Sequence, residues 1–128
     1  MSNLARAIVS VAAALSVLGA WTAGSAWSSP GAGASANCNI SGKERHLGPT
    51  YVTSLRVKGV GCKTGERIVT QYYKCRVKSG GRRGRCHSKI SGFSCQEKRI
   101  QAIKTEFDAR VTCKRGRSRV WHTYTQFT

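Results

Sequence analysis

Three histidines and a crowd of cations are the residues of this chain that could do chemistry. His46, His87 and His122 lie among 22 Lys and Arg residues. One histidine as base, a second as acid and a cation to stabilise charge are enough to cleave RNA. No motif fixes which two histidines would meet, and such histidines more often serve as surface or packing groups. The segment Gly92-Phe93-Ser94-Cys95-Gln96 begins like a nucleophile elbow but lacks the final Gly, so it reads better as the opening of a strand. Cys86-His87 with Cys95 could in principle hold zinc, but the chain has no C-x2-C pair. No catalytic residue, metal ligand or cofactor is assigned on these grounds.

The cations form two runs. Arg82, Arg83 and Arg85 make the first; Lys114, Arg115, Arg117 and Arg119 make the second. These seven are the candidate anion-binding residues. Trp121, Tyr124 and Phe127 follow the second run, and basic side chains beside aromatics suit phosphates and stacked bases. A basic hairpin turn leading into a core strand would have the same composition. The formal net charge is +17. Such a surface attracts anionic polymers of the cell envelope or beyond it, including wall teichoic acids, anionic lipid head groups and polysaccharide sulfates. Nucleic acid enters this reading as one more polyanion, bound without specificity. The expected function is that of a secreted, cationic, non-enzymatic protein; the alternative is a ribonuclease-like hydrolase using histidines and a basic residue.

Export is read from the N-terminus. Arg6 supplies a positive start, residues 7–18 are almost wholly apolar, and small residues lead to Gly24-Ser25-Ala26. Cleavage is expected after Ala26, with Ala34-Ser35-Ala36 as a second candidate. The apolar run is short for a membrane span, so no span is expected after processing. The organisation is then a leader at 1–26, a Gly/Ala/Ser/Pro tether at 27–37 and one small domain at 38–128. Loss of Arg6 leaves 21 basic residues against five acids, a charge of +16. The mature protein is expected outside the cell, free or wall-associated, as a monomer.

Four strands and a helix must position these residues. In 51–58, Tyr51, Thr53, Leu55 and Val57 alternate with Ser54, Arg56 and Lys58, which predicts a half-buried strand. Gly65, Ile68, Val69, Tyr72 and Cys75 recur at helical spacing, which predicts a helix over about 64–76 capped by Thr64. Gly92 opens a second strand. Phe107, Ala109, Val111 and Cys113 alternate with Asp108, Arg110 and Thr112 in a third, and 119–127 makes a fourth, joined to the third through Gly116. The fold class is α+β: one short amphipathic helix packed on a small antiparallel sheet of three to four strands, stapled by disulfides.

The motifs Val60-Gly61-Cys62, Ile68-Val69, Gly92-Phe93-Ser94-Cys95 and Val111-Thr112-Cys113-Lys114-Arg115-Gly116 leading to Val120 give the chain a family likeness. It resembles a group of small exported actinobacterial proteins of unassigned function. The resemblance covers about residues 38–127 and implies a fold and a location but no activity. Its pattern has four cysteines, matching Cys38, Cys62, Cys95 and Cys113, and usually a small Ala where this chain has Gly65. Cys75 and Cys86 are additions. The resemblance implies that the added pair bonds to itself, Cys75–Cys86. Cys95 and Cys113, on adjacent inferred strands, can face each other, which leaves Cys38–Cys62. All six cysteines follow the leader, as suits an oxidising destination.

Overall fold

The computed structural model describes residues 33–128. The expected leader, its favoured cleavage site after Ala26 and residues 27–32 of the expected tether lie outside the described residues, whereas the second cleavage candidate, Ala34-Ser35-Ala36, runs into the first strand. The elements run β1 (Ser35–Asn37), β2 (Tyr51–Lys58), α1 (Cys62–Gly80), β3 (Ser94–Ile100), β4 (Glu106–Arg115) and β5 (Ser118–Phe127). The fold is α+β, with one helix on an antiparallel sheet. The sheet has five strands, in the order β1-β2-β5-β4-β3, rather than three to four. The additional strand is β1, drawn from the end of the Gly/Ala/Ser tether. Its composition gives no strand signal; it is held by pairing with residues 56–58 of β2 and by the adjacent Cys38–Cys62 disulfide.

Alternation along the strands sends one set of side chains toward the helix. Val120, His122, Tyr124 and Gln126 of β5 and Phe107, Ala109, Val111 and Cys113 of β4 are buried there. The β2 alternation is broken. Val52, Leu55 and Val57 are buried, whereas Tyr51 and Thr53 are exposed. A register shift between Val52 and Ser54 puts Thr53 and Ser54 together opposite Thr123, with both hydroxyls bonded to its Oγ1. One extra residue in a strand reverses the facing of everything before it.

The helix is longer than its apolar stripe, running from Cys62 with Gly61 at its N-cap rather than Thr64. Gly81, at φ +64°, ends it and donates to Val77 O. Its buried face is Gly65, Ile68, Val69, Tyr72 and Arg76. The last of these is a fully buried arginine one position beyond the expected Cys75. The cysteines pair as Cys38–Cys62, Cys75–Cys86 and Cys95–Cys113, the three pairs named above. They tie β1 to the helix start, the helix end to the loop after it, and β3 to β4.

Gly65 sets the distance between helix and sheet. A Cβ at this position would sit 2.7 Å from Val57 Cγ1 and 3.4 Å from the Leu55 methyls. In an exposed helix, Gly→Ala stabilises by about 1 kcal/mol. Here the added methyl must push α1 off β2. Gly65→Ala is expected to lower stability by about 1–3 kcal/mol, the usual cost of overpacking. Urea unfolding measures the sign: a more stable variant would show that the helix has room to move.

Candidate anion-binding face

Two constellations could carry function: a buried polar cluster under the helix and the cationic outer face of the sheet. The buried cluster centres on Glu97, whose side chain is only 3% exposed. Tyr72 and Tyr124 donate their hydroxyls to Oε2 at 3.0 and 2.6 Å. Arg99 Nε donates to Oε1 at 2.6 Å, Arg76 Nε stands 3.8 Å from Oε2, and Arg85 reaches within 3.6 Å of Oε1. Burial alone would raise the carboxyl pKa. The hydrogen bonds from Tyr124 and Arg99 and the charges of Arg99 and Arg76 outweigh it and hold the group below its ordinary value. Burial, reinforced by the Glu97 charge, pushes the Tyr72 phenol up; burial also pushes Tyr124 up, against the lowering charge of Arg76. A carboxylate held ionised with both oxygens occupied is a weak proton acceptor. Its chemistry is that of a counterion to Arg76 and Arg99.

His122 lies in the same core, edge-on to Tyr72 at 5.8 Å and stacked with Tyr124 at 5.9 Å between ring centroids. It is 1% exposed. Burial, then the charge of Arg76, lowers its pKa from 6.5 to about 3. This imidazole is neutral and sealed from any substrate. His46 and His87 are exposed, on the loops before β2 and before β3. A cleavage mechanism requiring His122 therefore has no route to its proton. Among the described residues no group of three or more His, Cys, Asp or Glu could hold a metal ion.

The outer face of the sheet is different in kind, and no described helix covers it. Register places its cations directly opposite one another. Lys58 of β2 pairs with Arg119 of β5, and Arg119 pairs with Lys114 of β4, so three cations cross three strands in a row. Lys98 of β3 faces Arg110 of β4. Between these rows Arg56 pairs with Trp121, its guanidinium 4.4 Å from the ring centroid. Opposed side chains in an antiparallel ladder stand about 5 Å apart, and like charges so placed destabilise it. The acids of this face, Asp108 and Glu106, sit at the far end of β4, where Asp108 accepts from Thr125 Oγ1 at 2.5 Å.

Trp121 forms a wall between two depressions of this face. One, of about 680 Å³, is lined by Lys58, Gly59, Arg117, Ser118 and Arg119 with the indole. The other, of about 360 Å³, is lined by Asn37, Ser54, Arg56, Arg110, Thr112 and Thr123 with the indole. A third, of about 670 Å³, lies at the β3 edge, where Arg85, His87, Lys98 and Arg110 surround Glu97 and Tyr72.

The two basic runs do not form one surface. Lys114, Arg117 and Arg119 belong to the outer face and its rim, while Arg115 turns back, over the Phe93 ring at 4.4 Å and bonded to Ser91 O at 3.0 Å. Arg82, Arg83 and Arg85 follow the helix. Arg83 is spent on the carbonyls of Ile103 and Lys104 near the start of β4, while Arg115 and Arg117 flank its other end, and ten residues span roughly 34 Å at about 3.4 Å each. Of the three aromatics, Trp121 and Phe127 face outward and Tyr124 is core. Sequence reasoning passed over Arg56, Lys58, Lys98 and Arg110 as site residues. Their signal was present as cations at alternate strand positions, but its meaning depends on cross-strand register.

No protein-family model, no curated protein and no solved structure matches this chain. The outer face thus stands on its own geometry.

The core histidine makes a separate, testable statement. An unfolded chain takes up a proton at His122 near pH 6.5, whereas the folded chain refuses it until about pH 3. Stability from this residue is complete above pH 6.5 and is lost as pH falls through that window, at up to about 1.4 kcal/mol per pH unit. Chemical denaturation between pH 7 and 5, a range chosen to lie above most carboxyl titration, should show this slope, and His122→Phe should flatten it. An unchanged slope in the variant would place the titration elsewhere.

Proposed function

We propose that this protein is an exported, cationic, non-enzymatic domain that binds anionic polymers through the outer face of its sheet. The observation that carries the reading is the row Lys58–Arg119–Lys114, three cations in register with no acid among them. A fold that only needed charge for solubility could scatter it; this one sets three cations on adjacent strands in register, with the Arg119 guanidinium anchored on the Gly116 and Ser118 carbonyls at 2.6 and 2.8 Å. A polyanion laid along the face relieves their mutual repulsion and releases its own counterions. The three disulfides suit an oxidising compartment, and the leader-like N-terminus supports export, with the wall or the surrounding medium as destination. Arg82 and Arg85 extend the field on the helix side but lie outside the row.

The test compares equal losses of charge on opposite sides. Binding to inorganic polyphosphate should weaken steeply with salt. Lys58→Ala/Lys114→Ala should reduce the slope of log K against log salt by about 1.5, given roughly 0.7–0.9 per contact. Arg67→Ala/Arg82→Ala, on the helix side, should change it far less. Without ligand the Lys58/Lys114 variant should also be more stable, by about 0.2–1 kcal/mol for each relieved pair. Equal slopes for the two variants would show that net charge, not this face, does the binding.

A further inference from the structure

We infer that the ligand read by this face is single-stranded nucleic acid, with unpaired bases stacked against Trp121 and phosphates held by the flanking cations. The inference rests on the polyanion reading above and adds a ligand class to it.

Three observations lead there. Trp121 is half-buried and stands between two cation-lined depressions, of about 680 and 360 Å³, so that successive units of a polymer can lie on either side of one indole. Arg56 lies over one face of the ring at 4.4 Å, and its own outer face is a second flat group on which a base can stack. Beyond the indole, each depression supplies phosphate ligands: Lys58 and Arg117 in one, Arg110 in the other. One planar stack flanked by cations on both sides matches a base flanked by phosphates along a single strand.

The surroundings of Trp121 argue against an acidic polysaccharide. Sugar hydroxyls are donors as well as acceptors, and a site for them gains most from carboxylates, the strongest acceptors; the depressions offer only neutral ones such as the Asn37 amide and the hydroxyls of Ser54, Ser118 and Thr123. No carboxylate lines either depression. Asp108, the nearest acid along β4, is turned to Thr125. Bases inside a duplex are already stacked on one another and present no free face to the indole, so the preference is for single strands. A ring-free polymer of phosphates would satisfy the cations and leave the indole unused.

The experiment uses the oxidised protein as recovered after export and three probes of matched charge: an oligothymidylate, an abasic oligomer of the same length, and polyphosphate. Oligothymidylate should bind about tenfold more tightly than the abasic oligomer, since each stacked base contributes strongly and without sequence preference. Trp121→Ala should abolish that difference and leave abasic and polyphosphate binding unchanged. Trp121→Phe, which keeps an aromatic face, should restore part of it. Equal affinity of the unaltered protein for the two oligomers overturns the stacking inference while the polyanion reading stands. Absence of binding to all three probes at low salt overturns both.

Discussion

One buried carboxylate organises the molecule. Glu97 sits on the edge strand β3, yet its partners come from the helix, from β3 itself and from the central strand β5. Tyr72 and Arg76 are one helical turn apart, so the same face of α1 delivers both to it. Arg76 then continues to Gln126 Oε1 at 3.0 Å and to the Arg82 carbonyl at 3.1 Å, fixing the end of the helix to the sheet and to the turn that follows. A buried ion pair is seldom a net source of stability compared with apolar packing, but losing one partner strands the other, at about 3–5 kcal/mol. Its role here is positional. It permits one rotation and one depth of the helix over the sheet, and Gly65 sets the same depth from the other end.

A core built on one side of the sheet leaves the other side uncovered by any helix of the described residues. Among the described residues the buried core lies on the helix face, and the outer face carries cations with no counterpart to the Glu97 that Arg76 meets inside. That arrangement has a cost in repulsion across the strands. The disulfides offset it by closing loops of the unfolded chain, each contributing about 2–4 kcal/mol. Their placement matters as much as their number. Cys95–Cys113 joins directly opposed residues of β3 and β4, and three positions along from it Lys98 meets Arg110. The bond holds together two strands whose outward charges push apart.

The parts legible in the sequence were those written in local periodicity. The apolar stripe of α1 and the alternation of Phe107, Ala109, Val111 and Cys113 gave the helix and β4 with their buried faces, save that Arg76 and not Cys75 closes the helix stripe. Tyr51 and Thr53 misled because a bulge inserts one residue, and periodicity cannot register an insertion that only pairing reveals. Arg76, Glu97 and His122 look like surface residues by type. Each is buried because the others are there, a dependence between positions far apart in the chain. Helix propensity alone counts Gly65 against α1; its reason lies in Val57 on the strand below. The outer face was half visible. Arg56, Lys58 and Arg110 were already on the solvent side of their strands, but the rows they form exist only once β5 is placed between β2 and β4.

β5 is where core and surface become one constraint. Val120, His122, Tyr124 and Gln126 enter the core, and Arg119, Trp121 and Thr123 alternate with them on the outer face. A slip of one residue would drive the cations inward and expose the core, so the burial of Tyr124 against Glu97 fixes where Trp121 stands. The same register that makes the fold unique therefore sets Lys58, Arg119 and Lys114 in line and the indole between the two depressions. Repulsion along that line is built into the protein, and under the proposed function an anionic ligand settling there would relieve it. The core and the disulfides hold these cations in place in advance, which under that proposal would lower the ordering cost of binding.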